Sequence, residues 1–135
     1  MDEAYSLERF NCSEVEKIED ISGTNVFSCY QCGNCSSGCP AADYMEIKPH
    51  QVMRFIQMGQ VKRVVESNTP WICAACITCT AGCPKGVDIA AVMEAARQLL
   101  LRKNIQRIDI SKIEKDKLSK LPQIVLVNSF RKLTL

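Results

Sequence analysis

Apolar residues recur at helical spacing in two stretches of this 135-residue chain and lose that regularity at both ends. Pro49 suits the first turn of a helix, and Val52, Met53, Phe55 and Ile56 then fall on one face. Gly59 predicts an end or a kink, after which Val61, Val64 and Val65 form a second short stripe that "SNTP" stops. Further on, Asp88 is placed to cap a helix whose apolar positions are Ile89, Val92, Met93, Ala96, Leu99 and Leu100.

The ends are less regular. In the first 28 residues, "EVEKIEDISGTN" mixes a polar segment with a glycine turn and reads as a short helix or a strand. From Asn104 the chain alternates charge with Ile and Leu, passes Pro122 and ends in "IVLVNSFRKLTL", a short helix or an extended arm whose apolar residues would suit docking on a partner. The run "SKIEKDKLSK" beside it reads as a solvated face.

The fold class expected is mainly α. The length fits one domain, 1–135, with a core over about residues 20–103 and a docking tail over 104–135. The 17 Lys and Arg against 15 Asp and Glu are too balanced for a protein that binds nucleic acid by neutralising phosphates. The start, "MDEAYSLERF", lacks a basic region followed by an apolar run, and no stretch approaches the roughly 20 apolar residues of a membrane span. A cytoplasmic protein without a membrane span is expected.

Composition changes the picture through cysteine, present nine times. The stretch "CYQCGNCSSGCP", residues 29–40, returns 44 positions later as "CAACITCTAGCP", residues 73–84. Cys29, Cys32, Cys35, Gly38, Cys39 and Pro40 align with Cys73, Cys76, Cys79, Gly82, Cys83 and Pro84, and an aromatic, Phe27 or Trp71, stands two residues before each copy. An odd count in a reducing compartment favours metal binding over a disulfide framework.

Each copy reads C-x2-C-x2-C-x3-C-P, the run found in bacterial ferredoxins, where three cysteines hold one 4Fe-4S cube and the fourth reaches the other. Three thiolates at such short steps wrap one cube only if the backbone turns tightly, which Gly33, Ala74 and Ala75 tolerate. Crossed ligation assigns Cys29, Cys32, Cys35 and Cys83 to one cube, and Cys73, Cys76, Cys79 and Cys39 to the other. Zinc also takes four cysteines, but its sites usually present separated C-x2-C knuckles. Two cubes would bring the formal charge of +2 to about −2.

The remaining candidates read as structural. Ile72, Ile77, Trp71 and Val87 are expected to shield the cubes from water, with Trp71 serving in packing. His50 follows Pro49 at a helix start and is expected to have no metal role. Cys12 belongs to neither copy and reads as a reduced, partly buried thiol.

With both motifs, the helical spacer and "GCPKGVDI" in view, the chain resembles HdrC, the small iron–sulfur component of heterodisulfide reductase, over about residues 20–103, most closely at "CYQCGNCSSGCP" and "NTPWICAACITCTAGCPKGVDI". The resemblance implies an α-helical ferredoxin-like domain whose two 4Fe-4S cubes pass electrons between a flavin-containing HdrA-like subunit and a cysteine-rich HdrB-like subunit. It implies no catalysis by this chain: the HdrB-like partner is marked by Cys-Cys-Gly motifs, and no two cysteines are adjacent here. Two other readings are the iron–sulfur subunit of another oxidoreductase, resembling succinate or glycolate dehydrogenases, and a cluster-bearing regulatory module. Within the first, the succinate type normally adds a plant-type 2Fe-2S domain, whose cysteine spacing is not found here; the second would usually need an effector domain or a strongly basic helix, and neither is visible.

Overall fold

The computed structural model describes residues 12–103 and 109–131, which belong to two units, Met1–Asn104 and Ile105–Leu135. Among the described residues every regular element is helical, and no helix is long and apolar enough to cross a membrane.

The first unit contains helices α1 (Cys12–Ser22), α2 (Asn34–Ser37), α3 (Pro49–Gln57), α4 (Val61–Glu66), α5 (Thr69–Ile72), α6 (Thr78–Ala81) and α7 (Ile89–Leu101). The ambiguous N-terminal segment is therefore a helix from Cys12. Its Val15 and Ile18 are buried against α7, and Glu19 Oε1 accepts a hydrogen bond from Val26 N at 2.8 Å, which turns the chain toward the first cysteine.

Helix α7 is the central element, with α1, α4, α5 and α6 all packed on it. It starts where the sequence places a cap: Asp88 Oδ1 accepts from Ala91 N at 2.9 Å, satisfying a donor that the first helical turn leaves free. Its Val92, Met93, Ala95 and Ala96 join Val52, Met53 and Ile56 of α3 and Val61 and Val64 of α4 in one core. Both apolar stripes read from the sequence thus face inward at this junction.

Gly59 ends α3 and does not kink it. It is left-handed at φ 68, its N–H bonds Ile56 O at 2.8 Å, and the Gln60 N–H bonds Phe55 O at 2.8 Å, the paired bonds of a Schellman cap. Beyond α4, "SNTP" does more than stop a helix. The fully buried Thr69 hydroxyl accepts from Ile47 N at 3.0 Å and donates to Ile47 O at 2.9 Å. Asn68 Oδ1 accepts from Glu46 N at 2.9 Å, and Glu46 Oε2 accepts from Asn68 N at 2.9 Å. These four bonds tie the exit from the first cysteine motif to the entry of the second.

The second unit contains a short turn of 3-10 helix at Ile110–Lys112, α8 (Lys115–Leu118) and α9 (Gln123–Arg131). The stretch after Pro122 is thus helical as far as Arg131, with Ile124, Val125 and Val127 exposed. Residues 132–135 of the expected tail lie outside the described residues.

Candidate metal centre

The two cysteine motifs follow the same backbone path. Cys29 and Cys73 are both extended, at φ −74, ψ 120 and φ −62, ψ 114. Two residues later each copy turns left-handed, at Gln31 (φ 65) and Ala75 (φ 52), and does so again at Gly33 (φ 84) and Ile77 (φ 65). Short helices follow, α2 and α6, closing on Gly38 (φ −89, ψ −5) and Gly82 (φ −85, ψ 0). Left-handed residues within such turns point backbone N–H groups into a concavity that suits anionic sulfur.

The tight turning expected of small residues is found at Gly33 and Ala75, whereas Ala74 is not among the left-handed positions. Gln31 and Ile77 are, although neither residue type favours that region. The repeat held the signal: aligning the copies places Ile77 opposite Gly33.

The copies also pack on each other through α2 and α6. A methyl group at Gly38 would stand 3.7 Å from Thr78 Cγ2 and 3.4 Å from Asn34 O, so a larger residue would meet the other copy. One result of this packing is a small cavity lined by Cys73, Cys76 and Cys79 of the second motif and by Cys39 of the first, with Met45, Ile89 and Met93 among its apolar walls. On the other side, the Tyr30 phenol is pushed above its ordinary pKa by partial desolvation, then by Cys32, Cys83 and Cys29. Cys83 of the second copy therefore stands within electrostatic range of Tyr30 in the first.

The thiols are not equivalent. Burial pushes Cys35 and Cys79 above the usual thiol range, with neighbouring cysteines adding to the rise, while hydrogen bonds from Thr78 lower Cys76, which is exposed. A buried thiol of raised pKa becomes a thiolate only with a compensating cation, and a coordinated metal supplies one. Sulfur also meets protein donors: Val87 N lies 3.4 Å from Cys83 Sγ, and Gln31 Nε2 lies 3.5 Å from Cys29 Sγ.

Two polar contacts were not read from the sequence. Gln57 Nε2 donates to Cys29 O at 2.8 Å and Arg97 Nη1 to Cys73 O at 2.9 Å, so each motif's first cysteine is held by the helix that follows the motif. Of the expected shields, Val87 is buried and Trp71 half-buried, but Ile72 and Ile77 are exposed, Ile77 at 58%. The Trp71 indole N–H is buried without an acceptor among the described residues. His50 Nδ1 lies 2.7 Å from Ser36 Oγ. Cys12 begins α1, and its side chain lies outside the described residues.

The donor set fits iron–sulfur cubes. Eight thiols stand in two repeated loops, Cys35 buried, Cys32 and Cys76 exposed and the others partly buried, and no three His, Cys, Asp or Glu among the described residues converge as ligands of a single ion would. A cube spreads its thiolates over different irons around a volume, as the cysteines of the cavity are spread.

Residues 28–88 match the 4Fe-4S dicluster domain family. The chain is 39% identical over 86 residues to the iron-sulfur C subunit of the CoB–CoM heterodisulfide reductase of Methanopyrus kandleri, covering 64% of this chain and 45% of that protein. It is 29% identical over 94 residues to the C subunit of the ferredoxin:CoB-CoM heterodisulfide reductase of Methanosarcina mazei, covering 70% and 58%. It is 34% identical over 103 residues to a protein of Archaeoglobus profundus described as like the C subunit of heterodisulfide reductase, covering 72% and 54%. The chain spans about half the length of these curated relatives. It is a mainly helical iron–sulfur electron-transfer protein that carries two 4Fe-4S clusters.

Proposed function

We propose that this chain, a 4Fe-4S dicluster protein of the HdrC family, relays single electrons between a flavin-containing HdrA-like subunit and a cysteine-rich HdrB-like subunit of a heterodisulfide reductase-like complex. The cubes supply one-electron transfer at potentials tuned by hydrogen bonds, charge and exposure. The protein's part is to hold them in fixed positions and control their surroundings.

In this reading Cys29, Cys32, Cys35 and Cys83 hold one cube and Cys73, Cys76, Cys79 and Cys39 the other. The observation that carries it is the cavity where Cys39 meets the three leading cysteines of the second motif. Val52, Met53 and Met93 keep water from the inner side, while Cys32 and Cys76 face outward, one from each motif. An outward ligand on each cube leaves an edge where a partner's redox centre can approach. The apolar residues of α9 are assigned to docking within the complex.

Anaerobic affinity purification of the chain from its own cells, with identification of the co-purifying proteins and a flavin assay, tests the reading. Recovery of a flavoprotein together with a protein rich in Cys-Cys-Gly motifs is expected. Recovery of a different dehydrogenase, or of no stable partner, would overturn the assignment.

A further inference from the structure

The two halves of the site differ in one charged contact. Gln57 and Arg97 are each the ninth residue of their helices, α3 from Pro49 and α7 from Ile89. Each donates to the carbonyl of the first cysteine in the preceding motif, Gln57 to Cys29 at 2.8 Å and Arg97 to Cys73 at 2.9 Å. The same backbone group is thus held once by a neutral amide and once by a cation.

Arg97 is oriented by Glu94, whose Oε2 accepts from Nε at 2.8 Å and stands 2.7 Å from Nη2. Because Nη1 points to Cys73 O, the guanidinium stands between the carboxylate and the motif. The Arg97 side chain is 17% exposed and that of Glu94 49%, so water screens the carboxylate more than the cation. Two other charges beside the loops are differently placed: Lys85 is exposed, 5.9 Å from the Tyr30 ring, and Asp88 is engaged by the Thr80 hydroxyl and the N-terminus of α7.

We propose that Arg97 sets the order of the two reduction potentials, making the cube ligated by Cys73 the easier one to reduce. The proposal rests on the two-cube reading above. One-electron reduction adds one negative charge and makes or breaks no covalent bond; the electron comes from an external one-electron donor. A fixed cation stabilises the more negative state, and the corresponding position at Cys29 carries no charge. Arg97 is therefore a positioning residue that gives the relay a direction.

The test is an anaerobic redox titration of the full-length, cluster-loaded protein, followed by optical absorption and electron paramagnetic resonance, for wild type, Arg97→Gln, Arg97→Lys and Glu94→Gln. The higher potential is expected to fall in Arg97→Gln while the lower stays in place, to stay near wild type in Arg97→Lys, and to rise in Glu94→Gln. Shifts of opposite sign would not come from a general loosening of the fold. Both potentials moving together, or neither moving, would overturn the proposal. If Arg97→Gln loses a cube, the sign in Glu94→Gln decides: a rise supports the proposal, and no change or a fall overturns it. Iron and sulfide content of the wild type separately tests the two-cube reading, since too little for two cubes would defeat that reading whatever the potentials do.

Discussion

Gly33 and Ile77 occupy the same place in the two loops, and both are left-handed, at φ 84 and φ 65. For a β-branched residue that conformation is a steric outlier, costing on the order of 1–2 kcal/mol. Ile77 is 58% exposed, so its packing offsets little of that cost, and in the proposed two-cube reading it persists because Cys76 and Cys79 on either side of it are held by one cube. Gly33→Ile should place the same strain in the first loop and lower the stability of the loaded protein by about 1–2 kcal/mol. Ile77→Gly should keep both cubes without loss of stability. Denaturant midpoints measured without oxygen check this, and a Gly33→Ile variant as stable as wild type would remove the left-handed requirement.

The crossed ligation proposed above gives a second prediction. Cys39 is in the first motif by sequence but lines the cavity of Cys73, Cys76 and Cys79. Cys39→Ser should therefore damage the cube held by the second motif, and Cys83→Ser the one held by the first. Iron content and the paramagnetic resonance of the remaining reduced cube distinguish the two variants. Damage in each case confined to the variant's own motif would refute the crossing.

Removing the clusters should loosen the whole first unit. Cys35 is only 7% exposed and belongs to the same core as Val52 and Met93, while Cys29, Cys73, Cys79 and Cys83 pack against that core. Without iron, these thiols lose the bonds that hold the loops in shape, and the left-handed residues lose what compensates them. Chelation under oxidising conditions is expected to reduce helical circular dichroism along with the cluster absorbance. Full retention of helix by the cluster-free chain would show that the core suffices alone.

How much of this was legible in the sequence depended on whether the cause was local. The stripes of α3 and α7, the Asp88 cap and the Gly59 stop each follow from residues within one or two turns, and the cysteine repeat gave the chemistry of the site. Helix α1 was ambiguous because its apolar positions, Val15, Ile18 and Ile21, are thinly set among charges and take their meaning only from packing on α7. The Thr69 and Ile47 bonds join residues 22 apart through a side chain and a loop backbone, which leaves no periodic trace. The Gln57 and Arg97 contacts were hidden for the same reason: they exist only once the helices fold back over their motifs.

The last prediction separates a structural histidine from a ligand. Ser36 Oγ accepts from His50 N at 3.0 Å and lies 2.7 Å from His50 Nδ1, so two bonds join α2, inside the first cysteine motif, to the start of α3. In His50→Ala the backbone bond remains and the ring bond is lost, a change of about 1 kcal/mol. The variant is expected to be less stable by that amount and to keep its full iron content and both reduction potentials. A merely structural role accounts for lower stability alone; loss of iron, or a displaced potential at unchanged iron, would instead make His50 part of the metal centre.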